Sequence, residues 1–286
     1  MYNNICIDLG NYFLKYKSDE VMDKISARAT KEFNPNPTYF DRVEIAGQEI
    51  VYIGTGDISR EFNKVNKEFW VEQVLFCVSK CIKENYKNIN LSLLLPINQL
   101  QQKDKYIQQF KNKKYEATIN GVSRVFYFNE ISVLPEGICS YYTLGNIKDK
   151  DILILDIGSR TLNVAVFEQG KMMKNFTEKL GSFDLLTRIK NIEMANGSDY
   201  TEEEIERLIR NGNITVARET YLMFLKDVLN KIKSQVNIKT YKTYITGGGS
   251  LLLKPFINGI PVEVMKDAEF SNVNGGKILS DKVWGK

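Results

Sequence analysis

The apolar residues of this chain recur with two periods, 2 and about 3.6, and their succession predicts its elements. Ile5–Asp8 and Tyr12–Lys17 read as two strands around a tight turn. Val43–Gly47 and Glu49–Ile53 read as a second hairpin, turning at Ala46-Gly47-Gln48, and "FNPNPTYF" between the two hairpins is a Pro/Asn loop. From Lys64 to Asn85 the period lengthens: Phe69, Val71, Val74, Leu75, Val78, Cys81 and Ile82 fall at helical spacing. "NINLSLLLP" is almost continuously apolar, the pattern of a strand buried on both faces. A short polar helix is expected at Lys103–Asn112. After it, Lys114–Ile119 and Ser123–Phe128 flank Asn120-Gly121, a pair suited to the positive φ angles of a two-residue hairpin turn. "ISVLPEGICSYY" then reads as a strand that ends at Pro135 and passes into a helix.

The second half restarts at Asp151 with another apolar strand. Val164–Phe167 turns at Glu168-Gln169-Gly170 into a further strand, and Ser182 begins a helix that reaches about Ala195. Thr201-Glu202-Glu203-Glu204 is a capping box, in which threonine and glutamate satisfy each other's backbone amides. Ile214–Val236 predicts a long amphipathic helix, with Val216, Tyr221, Phe224, Leu225, Val228, Leu229 and Ile232 as its apolar positions. "TYKTYITGGGSLLLKPF" reads as strand, glycine turn and helix start, "IPVEVM" as a last strand, and "FSNVNGGKILSDKVW" as a C-terminal helix despite its two glycines.

Both halves open on the same device, a strand ending in Asp-x-Gly that turns into a second strand. Asp8, Gly10, Asn11, Leu14 and Lys15 share a register with Asp156, Gly158, Ser159, Leu162 and Asn163. A repeated start followed by mixed strands and helices predicts a duplicated α/β architecture with a cleft between the halves. The length of 286 residues agrees with two domains of about 150 residues each.

Composition narrows the functional classes. Hydrophobic content of 43% and charged content of 26% indicate a soluble globular chain. No window approaches the roughly 18 apolar residues of a membrane span. Met1-Tyr2-Asn3-Asn4 lacks a basic stretch, and the apolar run after it is too short for a signal peptide, so the expected location is the bacterial cytoplasm with no membrane partner. The net charge of +4 is interspersed, which argues against a dedicated nucleic-acid surface. The densest basic stretch, Lys111 to Lys114, reads as a solvated helix end. The absence of histidine excludes Ser-His-Asp and Cys-His nucleophiles and histidine-ligated zinc. Cys77 and Cys81, four apart on a helix, read as small apolar residues rather than as a metal site.

No Gly-x-x-x-x-Gly-Lys-Ser/Thr sequence is present, and no Gly-x-Gly-x-x-Gly links a strand to a helix. Phosphate can also be held by a tight turn between strands, where consecutive backbone N–H groups form an anion nest. Asn11, Ser159 and Thr161 add small donors there. The strand-end aspartates would repel phosphate unless Mg²⁺ and its waters lie between, an arrangement suited to that ion. Gly247-Gly248-Gly249, after a strand and before a helix, allows a ligand to approach the backbone closely.

On these motifs the chain resembles the actin, sugar-kinase and heat-shock-chaperone ATPase superfamily. The two hairpins look like its phosphate 1 and phosphate 2 motifs, "YITGGGSLLL" like its adenosine motif, and "LPEGICSYY" like its first connecting motif. The order is kept over essentially the whole chain. "ISVLPEG", "KLGSFDLL" and "FSNVNGGKIL" are most similar to the ParM-type actin-like ATPases of plasmid segregation. The resemblance implies an actin-like fold of two ribonuclease-H-like domains with a nucleotide cleft between them. Domain I would be residues 1–147 plus the returning helix 269–286, and domain II residues 148–268 with a reduced tip.

The resemblance also implies roles. Asp8 and Asp156 would hold Mg²⁺ through water, with Asp156 also counted as catalytic. Gly10, Asn11, Gly158, Ser159 and Thr161 would cradle the phosphates, and Lys15 stands at the phosphate-1 lysine position. Glu136 would orient the attacking water. Gly247, Gly248 and Gly249 would border adenine and ribose, and Gly181 and Asp184 match the loop that closes on the nucleotide. Asn163 departs from the aspartate common in ParM, and Arg160 inside the second turn has no assigned role. The implied cofactors are ATP, with GTP as an alternative, and Mg²⁺. The implied partners are copies of the chain itself and a ParR-like adaptor on a plasmid centromere, so that nucleic acid is met only indirectly. Two other readings share the fold: a small-molecule kinase of the sugar or pantothenate type, and a non-hydrolysing scaffold.

Overall fold

The computed structural model describes residues 3–32, 36, 39–59, 61–84, 86–145 and 150–285. The "FNPNPTYF" stretch and the end of the helix expected to reach Asn85 fall partly or wholly outside these residues. The chain divides into two units, Met1–Gly145 with Asn272–Lys286, and Asn146–Ser271.

Unit 1 is built on β1 (Asn3–Leu9), β2 (Phe13–Lys17), β3 (Met22–Ser26), β4 (Ala29–Thr30), β5 (Asp41–Ile45), β6 (Val51–Ile53), β7 (Tyr86–Leu95), β8 (Lys113–Ile119) and β9 (Val122–Pro135), with helices α1 (Trp70–Cys81), α2 (Lys103–Phe110) and α3 (Ile138–Tyr141). Among the described residues these strands form one sheet in the order β3-β2-β1-β7-β9-β8-β5-β6-β4. β1 lies centrally between β2 and β7 and is buried from Asn4 to Leu9, side chains of both faces included. Asn120 and Gly121, at φ 52° and 82°, make the expected β8–β9 turn. The two strands expected either side of Asn129 are one continuous strand, β9. Phe110 packs on Trp70 and Phe128, with ring centroids 5.6 and 4.8 Å away, at the centre of this core.

Unit 2 consists of β10 (Ile152–Ile157), β11 (Leu162–Glu168), β12 (Lys171–Glu178), α4 (Ser182–Ala195), α5 (Glu202–Arg210), α6 (Arg218–Ile232), β13 (Lys242–Thr246), α7 (Gly248–Leu253) and β14 (Val262–Val264). Its sheet order is β12-β11-β10-β13-β14. The first three strands pair antiparallel, and β10–β13 and β13–β14 pair parallel. β3-β2-β1-β7-β9 in unit 1 repeats this order and these directions. The duplication legible in two short hairpins therefore extends to five strands in each unit. Leu185, Leu186 and Ile189 of α4 and Phe224, Leu225 and Val228 of α6 close the unit 2 core.

The last helix, α8 (Ser271–Trp284), contributes all but its first residue to unit 1. Asn272 Oδ1 accepts from the Gly137 N–H and the Ser140 hydroxyl, both at 2.8 Å. Lys277 is buried between Asp19 and Asp281, at 2.6 Å from each. Residues ahead of Asn272 stay with unit 2 because Thr246 Oγ1 and the Gly247 N–H donate to Ala268 O at 2.9 and 3.0 Å.

Two expected helices are shorter than their apolar periodicity. α1 begins at Trp70 because Phe69 has a left-handed φ of 58° and Asn63 caps a separate 3-10 turn at Lys64–Asn66. α6 begins at Arg218 because Ala217 is extended, following the β-branched run Ile214-Thr215-Val216, which disfavours helix. Burial pushes the Cys81 thiol up to about 12 and Cys77 well above its ordinary range. Among the described residues no group of three His, Cys, Asp or Glu side chains is placed to hold a metal directly, and no helix is long and apolar enough to cross a membrane.

Candidate functional site

The two Asp-Gly hairpins have the same register in three dimensions. Asp8 pairs with Lys15 and Leu9 with Leu14 across β1–β2. Asp156 pairs with Asn163 and Ile157 with Leu162 across β10–β11. Each aspartate therefore ends a buried parallel strand, where crossover topology places ligand sites in open α/β sheets.

In unit 1, Asp8 and Glu136 are 7% and 5% exposed and share one cation. Lys64 Nζ donates to Asp8 Oδ1 at 2.6 Å and to Glu136 Oε1. Burial alone would push the Asp8 carboxyl up, but Lys64, with Lys15 and Lys67 nearby, outweighs it and holds the group below its ordinary value. Burial would likewise lower the Lys64 ammonium, and the charges of Asp8 and Glu136 raise it instead. Asp8 and Lys64 are thus both charged at neutral pH. The Glu136 N–H donates to Leu95 O at 2.9 Å, which fixes the turn leaving β9. Lys67 Nζ donates to the carbonyls of Leu9 and Gly10 at 2.8 and 2.7 Å, pinning the β1–β2 turn from beneath. Asn11, in that turn, has its buried Oδ1 without a hydrogen-bond partner. A Cβ at Gly10 would lie 2.4 Å from Phe13 O.

In unit 2, the residues singled out in sequence gather around the β10–β11 turn. Asn163 Nδ2 donates to Asp156 Oδ2 at 3.3 Å, and Thr177 Oγ1 donates to Asn163 Oδ1 at 2.8 Å, so Asn163 orients the aspartate through an amide. The Gly158 N–H closes the turn on Thr161 O at 2.8 Å. The first amides of α4, Ser182 and Phe183, donate to Gly158 O and Ser159 O at 2.9 Å each. Asp184 Oδ2 accepts from the Gly181 N–H at 2.7 Å, so Asp184 caps α4 and positions this loop. Arg160 lies over the Phe183 ring, 4.8 Å from its centroid, which gives the unassigned arginine a packing partner.

Gly247 lies directly against the strand end that carries Asp156. Its φ is +81°, and a Cβ there would lie 2.5 Å from Asp156 Oδ1 and from Ile157 O. Gly181 packs in the same way on Ser159 and Gly249 on Ile157, whereas a Cβ at Gly248 would meet nothing within 4 Å. The glycine turn is therefore laid on the aspartate-bearing strand end, with Gly248 facing open space.

These features fit a metal-bound polyphosphate. In unit 1, Asp8 is a carboxylate held ionised and Asn11 offers a buried polar group without a partner; in unit 2, taken by itself, the glycine turn lies against the Asp156 strand end and keeps the space at Gly248 open. One or two such carboxylates suffice for Mg²⁺ held through water when phosphates supply the rest of its ligands.

Lys64 and Lys67 escaped sequence reading. "NKVNKEF" looks like the polar start of the helix after it, and lysine is rarely buried. The available signal was a pair of lysines three apart, immediately ahead of an apolar helix.

No protein-family model matches the sequence, and no curated protein does. Solved structures match along nearly its entire length. The apo ParM protein of pSK41 gives a TM-score of 0.74 at 18% identity, covering 99% of this chain and 98% of its own. The subunit of a 15-stranded ParM filament from Clostridium botulinum gives 0.77 at 17% identity, covering 98% and 99%. Ta0583, an archaeal actin homologue solved in complex with ADP, gives 0.78 at 14% identity, covering 99% and 100%.

Proposed function

Because the chain has the actin-like fold, we propose that it is a nucleotide-dependent filament protein: an ATPase that assembles with Mg-ATP and moves plasmid DNA through a ParR-like DNA-binding adaptor. The observation that carries this reading is the matched pair of hairpins, in which Asp8 and Asp156 end equivalent strands in equivalent registers. ADP in the archaeal homologue and the filament formed by the clostridial ParM support it.

The chain's residues suit the roles. Gly10, Asn11, Gly158, Ser159 and Thr161 bind the phosphates, and Lys15 adds positive charge beside Asp8. Gly247, Gly248 and Gly249 border the nucleoside, while Gly181 and Asp184 hold the phosphate turn in place. Glu136 orients the attacking water. Mg²⁺, when bound, neutralises charge that develops on the transferred phosphoryl group. The domains proposed for these roles are residues 1–147 with 269–286, and 148–268.

Light scattering and phosphate release, followed together after addition of Mg-ATP, test the proposal. Scattering is expected to rise and phosphate to appear with no further substrate. ATP consumption that requires an added sugar or pantothenate would instead support the kinase reading.

A further inference from the structure

Lys64 is a buried cation among groups otherwise suited to a metal. Its side chain is 8% exposed, and its backbone is fixed from the opposite side. The Lys64 N–H donates to Gln99 Oε1 at 2.9 Å, and Gln99 Nε2 donates to Phe62 O at 3.0 Å. Asn63 Nδ2 adds a bond to Gln102 Oε1 at 2.8 Å. The 3-10 turn that carries Lys64 is thus anchored to the segment Ile97–Gln102, and the ammonium is aimed inward by construction. Lys67, in the same segment, donates to the carbonyls of Leu9 and Gly10, whereas Lys64 donates directly to both acids.

Two buried carboxylates sharing one ammonium form a group of net charge −1. Without that ammonium they would repel, and one would take up a proton or a cation. The ammonium donates to Asp8 Oδ1 and so competes with any metal-bound water for this carboxylate. Lysine carries its charge on a flexible four-carbon stem, so withdrawal needs rotamer changes and no backbone movement.

We propose that Lys64 is the built-in counter-ion of the Asp8–Glu136 pair: its ammonium bridges the two carboxylates and leaves Asp8 when a metal-bound polyphosphate is taken up. Lys64 is therefore a positioning residue, and it sets how much divalent ion the site requires. The polyphosphate in this statement rests on the proposed function, whereas the exchange of lysine for a divalent ion is measurable without nucleotide.

The experiment uses Mn²⁺ alone as the probe, its free concentration followed by electron paramagnetic resonance against the wild-type chain, Lys64→Met and Lys64→Gln. Both variants are expected to bind one Mn²⁺ at least tenfold more tightly than wild type. Adding Glu136→Gln or Asp8→Asn to either should return the affinity to the wild-type level. Mn²⁺ binding no tighter than wild type, or tighter binding that survives loss of either acid, overturns the proposal. The thermal midpoint provides a second readout: Lys64→Met should melt below wild type in metal-free buffer and recover with Mg²⁺. If both Lys64 variants are unfolded with and without divalent ion, Lys64 is a purely structural partner and the proposal falls. A wild-type chain that binds no ATP, beside variants that show the Mn²⁺ exchange, would overturn the proposed function and leave this inference standing.

Discussion

Glu136→Gln is expected to slow phosphate release by about 10²-fold or more while nucleotide binding and assembly persist, the scale typical for a group that positions or activates a nucleophile. Glutamine keeps the shape of the side chain and an oxygen for Lys64, so the buried cluster loses one charge but no contact. The remaining Lys64–Asp8 pair is neutral, and the fold should tolerate it. The Leu95 carbonyl below and Asn272 beside Gly137 still hold the turn that carries residue 136. Single-turnover phosphate release, with nucleotide binding measured on the same samples, separates the two effects. Full hydrolysis by the variant would show that Glu136 serves only as a partner of Lys64.

Gly275→Ala is expected to be the most destabilising single-methyl addition. A Cβ at this position would lie 1.7 Å from the Cys139 carbonyl oxygen and 2.4 Å from its carbon. Both are backbone atoms, so no rotamer change relieves the overlap, and α8 must shift away from α3. Overpacking of this kind costs about 3 kcal/mol or more, a fall in Tm on the order of 10 °C. Because α8 also delivers Asn272 to the Glu136 turn and Lys277 to Asp19 and Asp281, the shift should loosen the proposed catalytic turn as well. Gly248→Ala, whose Cβ meets nothing within 4 Å, is the control for stability and should melt near the wild-type temperature. A Gly275→Ala chain that melts within a degree or two of wild type would contradict the packing described.

The sequence carried the architecture where a pattern was local. Two hairpins with a common register were sufficient to predict a duplicated α/β architecture, and Asn120-Gly121 the β8–β9 turn. The glycines at 247–249 marked a close approach before its partners, Asp156 and Ile157, were located. What escaped were features decided by the tertiary environment. Helix periodicity ran on through Lys64–Phe69 because apolar spacing does not reveal a left-handed residue at Phe69. Burial of Lys64 depends on two acids 56 and 72 positions away in the chain, a pairing that no local window contains. Asp184 matched a nucleotide-closing loop by motif, and the structure adds that its carboxylate caps Gly181. The glycines of "NVNGGK" weaken a helix by propensity, yet they are present because α8 lies against the Cys139 backbone and Cys6.

The matched aspartates are the centre of the account, and equilibrium titration of Mg-ATP into the wild-type chain, Asp8→Ala and Asp156→Ala tests them most directly. The wild type should bind, and each variant should lose at least tenfold in affinity, about 1.4 kcal/mol, although the two residues lie in different units. Affinity unchanged in both variants would contradict the reading that the repeated Asp-Gly hairpins hold a metal-bound nucleotide.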